Sequence, residues 1–296
     1  MMAPDAGLSR NARFRAALAK PPLLCLGAHD PVTAKLAEQA GASAIFISGY
    51  ASSAIVAGQP DLGLISQTEM FEHIRRICRV TTLPVFADAD TGYGGPLEAQ
   101  RTVALWEEAG ASALHVEDQL APKKCGAFKG KQLIPPEDMQ QKLRAMLEAR
   151  RDPDFFIVAR TDSFGVVSFD ETISRMTAYA AAGADGLFVA SPMSVAELRE
   201  TALRLKPLGK PLLCLLSRSE TTPFVPLQTA YDLGFDFAIA PIESLFATHR
   251  AVKAVFEAIL RTGDLETIAD RLTNFEDFNS FIGADEVLAR QQRYAS

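Results

Sequence analysis

Ala109-Gly110-Ala111-Ser112-Ala113-Leu114-His115-Val116 reads as a helix end, a reversal and the start of a buried strand. The glycine can adopt the positive φ that stops a helix, and the apolar run begins directly beyond it. The same phrase stands at Ala40-Gly41-Ala42 before Ala44-Ile45-Phe46-Ile47, and at Ala182-Gly183-Ala184 before Gly186-Leu187-Phe188-Val189. A looser copy is Leu233-Gly234-Phe235 before Phe237-Ala238-Ile239-Ala240. Between the copies lie apolar runs at 83–87, 155–159 and 211–216, each with a proline near its start and each followed by a helical pattern. Leu23-Leu24-Cys25-Leu26-Gly27-Ala28 adds one more, and His29-Asp30-Pro31 then opens a helix that ends at Gly41. The total is eight strands alternating with helices over residues 23–262. Such alternation requires parallel pairing, and eight units predict closure into a (β/α)8 barrel of TIM type. The competing doubly wound sheet lacks its main signature, because no GxGxxG follows the first strand.

Composition narrows the function classes. With 296 residues, 48% hydrophobic and 22% charged, the chain can bury a large core. A net charge of -6 without a long Lys/Arg-rich run argues against nucleic-acid binding. No stretch approaches the ~20 apolar residues of a membrane span, and Met1-Met2-Ala3-Pro4-Asp5 is not the start of a signal peptide, so a cytoplasmic location is expected. Cys25, Cys78, Cys125 and Cys214 lie far apart, without the spacing of a zinc site or a disulfide framework. Residues 1–20, with Arg10, Arg13, Arg15 and Lys20, are expected to form a leading helix, so residues 1–262 read as one barrel domain. Residues 263–296 form an acidic helical extension, in which Phe275, Phe278 and Phe281 recur along one face. Such a face docks on a core or on a neighbouring subunit, and subunit packing is the expectation here.

Barrel chemistry collects at the carboxyl ends of the strands. Val85-Phe86-Ala87-Asp88-Ala89-Asp90-Thr91-Gly92 ends an apolar run in two carboxylates at i and i+2. On a strand they point the same way and need a cation or a proton between them; the alternative is a solvated loop with two capping aspartates. Other strand ends offer Ser48 and Gly49 with Asp61 beyond them, then His115, Glu117 and Asp118, then Arg160, Thr161 and Asp162. Singly each acid could cap a helix or pair with a lysine, but together they favour a site with one hard divalent ion. Mg2+ takes one or two direct carboxylates and keeps several waters. His115 suits packing as well as proton transfer. The connection 119–131 is far longer than the ~2–6 residues usual after a barrel strand, which predicts a lid. Within it Cys125 has Lys123 and Lys124 beside it and Gly126 after it, a setting expected to lower the thiol pKa and attract an anionic substrate.

Ser48-Gly49, Pro60-Asp61-Leu62-Gly63, Asp88-Ala89-Asp90-Thr91-Gly92-Tyr93-Gly94, His115-Val116-Glu117-Asp118-Gln119, Lys123-Lys124-Cys125-Gly126 and Ala159-Arg160-Thr161-Asp162 form a specific set. Nearly end to end, the chain resembles the isocitrate lyase and phosphoenolpyruvate mutase superfamily, especially its short, methylisocitrate-lyase-like members. The resemblance implies a barrel whose terminal helix is exchanged with a partner, a homotetramer built as a dimer of such dimers, and Mg2+ or Mn2+ at the strand ends. It implies Asp88 as the direct metal ligand, with Asp61, Asp90 and Glu117 holding metal-bound water. Ser48, Gly49 and Arg160 would grip the 2-oxo acid end of a small carboxylate substrate, with Tyr50, Asp88, Lys124 and Gly126 completing the binding set. Cys125, Arg160 and Lys123 would be the catalytic residues. The Lys-Lys-Cys-Gly loop resembles that of the carbon–carbon lyases, where the cysteine protonates the released enolate, rather than the asparagine-bearing gate of the phosphonate enzymes.

The implied activity is Mg2+-dependent cleavage of a substituted malate or methylisocitrate-like 2-hydroxy acid to a 2-oxo acid and a carboxylate. An oxaloacetate hydrolase or decarboxylase, or a carbon–phosphorus enzyme, would use the same platform. From another class comes a non-catalytic homologue that binds metal and 2-oxo acids. Three positions depart from the family pattern: Ala127 replaces the histidine that usually follows Cys-Gly, Ala190 a glutamate after the sixth strand, and Leu215 an asparagine after the seventh. All lie on the side expected to hold a second carboxylate. The departures disfavour methylisocitrate and isocitrate themselves and point to a malate-like substrate with an alkyl or otherwise less polar substituent.

Overall fold

In the computed structural model, which describes residues 7–190, 194–216 and 224–295, eight parallel strands close into a barrel in sequence order. The start read above as Met1–Asp5 lies outside the described residues. In chain order the elements are α1 (Arg10–Leu18), β1 (Leu23–Gly27), α2 (Pro31–Gln39), β2 (Ala44–Ile47), α3 (Gly49–Ser52) and α4 (Gln67–Cys78). There follow β3 (Val85–Asp88), α5 (Pro96–Ala109), β4 (Ala113–Glu117), α6 (Pro136–Ala149), β5 (Phe156–Thr161) and α7 (Phe169–Ala181). The barrel closes through β6 (Gly186–Val189), α8 (Val195–Leu205), β7 (Leu212–Leu215), α9 (Leu227–Asp232) and β8 (Phe237–Ala240). The chain divides into two compact units, Met1–Ser244 and Leu245–Ser296. Most of α10 (Glu243–Thr262) belongs to the second, with α11 (Phe275–Ile282) and α12 (Ala284–Gln292). No helix among the described residues is long and apolar enough to cross a membrane.

Each repeated Ala-Gly-Ala phrase does what its chemistry allows. Gly110 takes φ 95° and caps α5, and β4 begins three residues later. Strand alternation sorts the side chains into two apolar layers. Leu23, Cys25, Phe46, Phe86, Phe156, Val158, Phe188, Leu213, Phe237 and Ile239 fill the barrel interior, while Ile45, Ile47, Val85, Leu114 and Val116 face the helices. Phe14 of α1 plugs the interior from below, its ring 6.1 Å from Phe86 and 5.7 Å from Phe156. Closure between β1 and β8 requires a glycine, because a Cβ on Gly27 would lie 2.5 Å from the Pro241 carbonyl oxygen.

Candidate functional site

The strand ends from β2 to β5 carry the charges that the sequence placed there. Asp88 ends β3 with Oδ2 accepting from Gly49 N–H and Oδ1 from Asp90 N–H, both at 2.9 Å. Burial alone would raise its pKa, but His115, Lys123 and Arg160 outweigh it and hold the carboxyl down to about 2. Asp90 is different. Burial, with the anions of Asp88 and Asp61, pushes it up to about 6 against the pull of Lys123. Its backbone takes φ 46° and Tyr93 takes φ 61°, a strained turn for residues with side chains. Four neighbours fix that turn. Trp106 Nε1–H donates to Asp88 O at 3.0 Å and Glu117 N–H to Asp90 O at 2.8 Å. Lys142 Nζ donates to Thr91 O at 3.0 Å and Thr102 Oγ1 to Gly92 O at 3.1 Å.

Glu117 and Arg160 stand side by side on β4 and β5. Arg160 Nη2 lies 3.0 Å from Glu117 Oε2, and its Nε donates to Asp162 Oδ2 at 2.8 Å. Burial and the neighbouring Asp162 and Asp88 raise Glu117 well above the ordinary carboxylate range, although Arg160 opposes this. His115 lies below them, stacked on Phe46 at 5.6 Å and edge-on to Phe86 and Phe188. Burial lowers it to about 4, so it is a neutral packing ring beside Asp88 at ordinary pH.

The long loop after β4 is ordered over this cluster. Lys123 Nζ lies 2.5 Å from Asp61 Oδ1 and 2.7 Å from Asp90 Oδ1. Cys125 N–H donates to Asp61 O at 3.0 Å. Gly126 lies against Arg160 and Asp162, and Lys131 donates to its carbonyl oxygen at 2.6 Å. Ser48 and Gly49 are buried at the rim beside Asp88, with Tyr50 next to them on α3. Burial raises the Tyr50 hydroxyl, and Cys125 and Asp61 raise it further.

Two sequence expectations need correction. The Cys125 thiol is raised, because burial dominates and Asp61 adds to it. The flanking lysines spend their charge elsewhere, Lys123 on Asp61 and Asp90, Lys124 on the Gly130 carbonyl oxygen. Asp118 does not face the mouth. Its carboxylate accepts from Thr161 Oγ1 at 2.7 Å, Tyr179 OH at 2.8 Å and Asp162 N–H at 3.0 Å, with Arg175 Nη1 at 3.3 Å. It therefore ties β4 to β5 and α7, pointing outward as the alternation after Glu117 requires. Sequence reasoning missed Lys131, Lys142 and Trp106; a fourth lysine in the lid, at its far end, was the signal for the first.

A divalent ion fits this donor set as a hydrated one. Among the described residues no three His, Cys, Asp or Glu side chains converge closely enough to bind an ion directly. Asp61, Asp88, Asp90, Glu117 and Asp162 nevertheless outnumber the cations among them, Lys123, Arg160 and Lys131. Neither Glu117 oxygen makes a well-aligned hydrogen bond despite the nearby guanidinium. Mg2+ needs few direct carboxylates and uses others through its waters. Gly49 sets the spacing, since a Cβ there would lie 2.7 Å from Asp88 Oδ2 and 2.9 Å from Asp90 Oδ1. Gly49→Ala is therefore expected to displace both carboxylates and lower divalent-cation affinity by roughly 10- to 100-fold, as lost ligand-orienting contacts do. Calorimetric titration with Mn2+ checks this, and wild-type affinity in the folded variant would remove Gly49 from the account.

The family model described as phosphoenolpyruvate phosphomutase matches residues 14–260. The 2-methylisocitrate lyase of Aeropyrum pernix is 40% identical over 257 residues, covering 87% of this chain and 82% of its own. A crystal structure of 2,3-dimethylmalate lyase superposes with a TM-score of 0.89 at 30% identity, over 98% of this chain and 96% of that one. A phosphonopyruvate hydrolase in complex with oxalate and Mg2+ superposes with a TM-score of 0.87 at 28% identity, over 98% and 100%.

Proposed function

The chain belongs to the phosphoenolpyruvate phosphomutase family, and from that premise we propose that it is a carbon–carbon lyase acting on a 2-hydroxy diacid. The products are a 2-oxo acid and a carboxylate. One observation carries the reading: the ordered loop brings a thiol held in its protonated form to the mouth that Asp61, Arg160 and Lys123 share. A group that must deliver a proton to carbon has to retain that proton at working pH, and burial gives Cys125 this property.

Mg2+ or Mn2+, held directly by Asp88 and through water by Asp61, Asp90 and Glu117, would supply positive charge where the substrate oxygen loses its proton. Arg160, oriented by Asp162 and Glu117, binds the carboxylate next to that oxygen together with Ser48 and Gly49. The hydroxyl proton leaves to a deprotonated carboxylate of the cluster, the neighbouring carbon–carbon bond breaks, and its electron pair passes to the departing carbon. Cys125 S–H donates a proton to that carbon, and the proton held by the carboxylate returns to the thiolate through solvent, so the two products together carry the atoms of the substrate and the enzyme is restored. Lys123 neutralises Asp61 and Asp90 beside the thiol, and Tyr50, Lys124 and Gly126 shape the space around it.

Among the described residues the mouth changes character across the barrel. Ala190 on the β6 side and Leu215 on β7 pack with Leu213 and Ile239 where β3 to β5 carry charge. This supports a malate with an alkyl or similarly apolar substituent. The test is an assay of 2-oxo acid release from malate and from methyl-substituted malates, with and without Mg2+. Mg2+-dependent release that favours the alkylated substrates is expected. Consumption of oxaloacetate or of a phosphonate, with no turnover of any 2-hydroxy diacid, would overturn the reading.

A further inference from the structure

We propose that Lys131 is a positioning residue that latches the loop after β4 onto the Arg160–Asp162 pair and so fixes Cys125 over the mouth. Its side chain is only 6% exposed although it belongs to a loop. Nζ donates to the Gly126 carbonyl oxygen at 2.6 Å and lies 3.6 Å from Asp162 Oδ1. Gly126 follows the cysteine directly, and its backbone rests on the same pair. A Cβ there would lie 3.1 Å from Asp162 Oδ1 and 3.2 Å from Arg160 Nη2. One ammonium therefore joins the residue next to the thiol to the carboxylate that orients the arginine.

The loop is a unit in its own right. Gln119 bridges to Leu133, and Leu120 N–H donates to Gln132 O at 2.8 Å. Gln119 exchanges hydrogen bonds with the Lys124 backbone at 2.8 and 3.0 Å, and Phe128 N–H donates to Cys125 O at 2.8 Å. These bonds shape the loop without attaching it to the site. Its charged attachments are Lys123 to Asp61 and Asp90 on one side of the cysteine, and Lys131 to Asp162 on the other. With the Cys125 N–H bond to Asp61 O between them, these two charged attachments hold the loop on both sides of the thiol, and losing one frees that side to lift. Because closing lids move as two-state elements, removing one charged attachment raises the open fraction.

The experiment measures Cys125 carbamidomethylation by iodoacetamide alongside cleavage kinetics, in the intact wild-type chain, Lys131→Met and Lys131→Arg. Cys25, Cys78 and Cys214 are buried, so mass spectrometry of the Cys125 peptide reads the loop. Where opening is fast, labelling follows the open fraction, and losing one charge-assisted hydrogen bond is expected to raise it by about 10- to 100-fold in Lys131→Met. The same variant should lose roughly 10²-fold in kcat, the cost of misplacing a reacting group by about an ångström, with a smaller change in KM. Lys131→Arg should restore most of both. If Lys131→Met does not fold, Lys131→Gln, which lacks the charge for Asp162, must label faster than wild type. Labelling at the wild-type rate in a folded Met or Gln variant overturns the latch. Fast labelling with unchanged kcat overturns its positioning role. Only the kinetic arm rests on the proposed lyase activity; the labelling arm uses no substrate and judges the latch even if that activity is wrong.

Discussion

Cys125→Ser is expected to lower the cleavage rate by about 10²- to 10⁴-fold, the usual contribution of a positioned general acid, and to leave divalent-cation affinity unchanged. Serine keeps the loop geometry, since the Cys125 backbone bond to Asp61 O does not involve the side chain. It replaces a thiol with a much weaker acid of nearly the same size. The effect should therefore fall on kcat, while Lys123 still pairs with Asp61 and Asp90 and the carboxylates keep their places. Steady-state kinetics beside a Mn2+ titration separate the two quantities. A serine variant with near wild-type kcat would make the thiol a bystander, and one that lost cation affinity would assign Cys125 to the metal site.

The second large effect is an asymmetry between two aspartates that look equivalent in sequence. Asp88→Asn should lower divalent-cation affinity by more than the ~10- to 100-fold typical of losing an outer contact, and Asp90→Asn should stay within that range. Asn is the informative replacement because it keeps the shape of the carboxylate and tolerates the φ of 46° at position 90. The physical basis is the difference in surroundings. Asp88 is fixed by two backbone N–H groups and held anionic, whereas Asp90 is pushed up by burial and by its neighbours and already has Lys123 as a partner. Equal losses in a calorimetric titration of the two variants would undo the ranking.

The barrel was legible because its code is local. A glycine that ends a helix and an apolar run that starts a strand recur often enough to number the strands, and the observed strands coincide with those runs to within two residues at either end. The site was legible as far as strand ends could be aligned, which brought Asp88, Glu117 and Arg160 together. What failed depended on the third dimension. Asp118 was placed with its neighbour Glu117, although alternation sends it outward to Thr161 and Tyr179. Lys123 and Lys124 were credited with acidifying the cysteine between them and Gly126, yet neither ammonium is directed at it. Lys131 and Lys142 act on carbonyl oxygens of Gly126 and Thr91, pairings that sequence spacing does not encode.

The measurement closest to the central claim is cleavage of an alkyl-substituted malate by the Mg2+-loaded enzyme in D2O, with both products weighed by mass spectrometry. Protonation of the departing carbon by Cys125, whose thiol exchanges with solvent, should place one deuterium on carbon in the carboxylate product, and the reaction should insert no solvent oxygen into either product. A carboxylate product without deuterium on carbon, or no release of 2-oxo acid from the malate while oxaloacetate is split with uptake of one oxygen from water, would contradict the account, because the latter would mean hydrolysis on the same barrel.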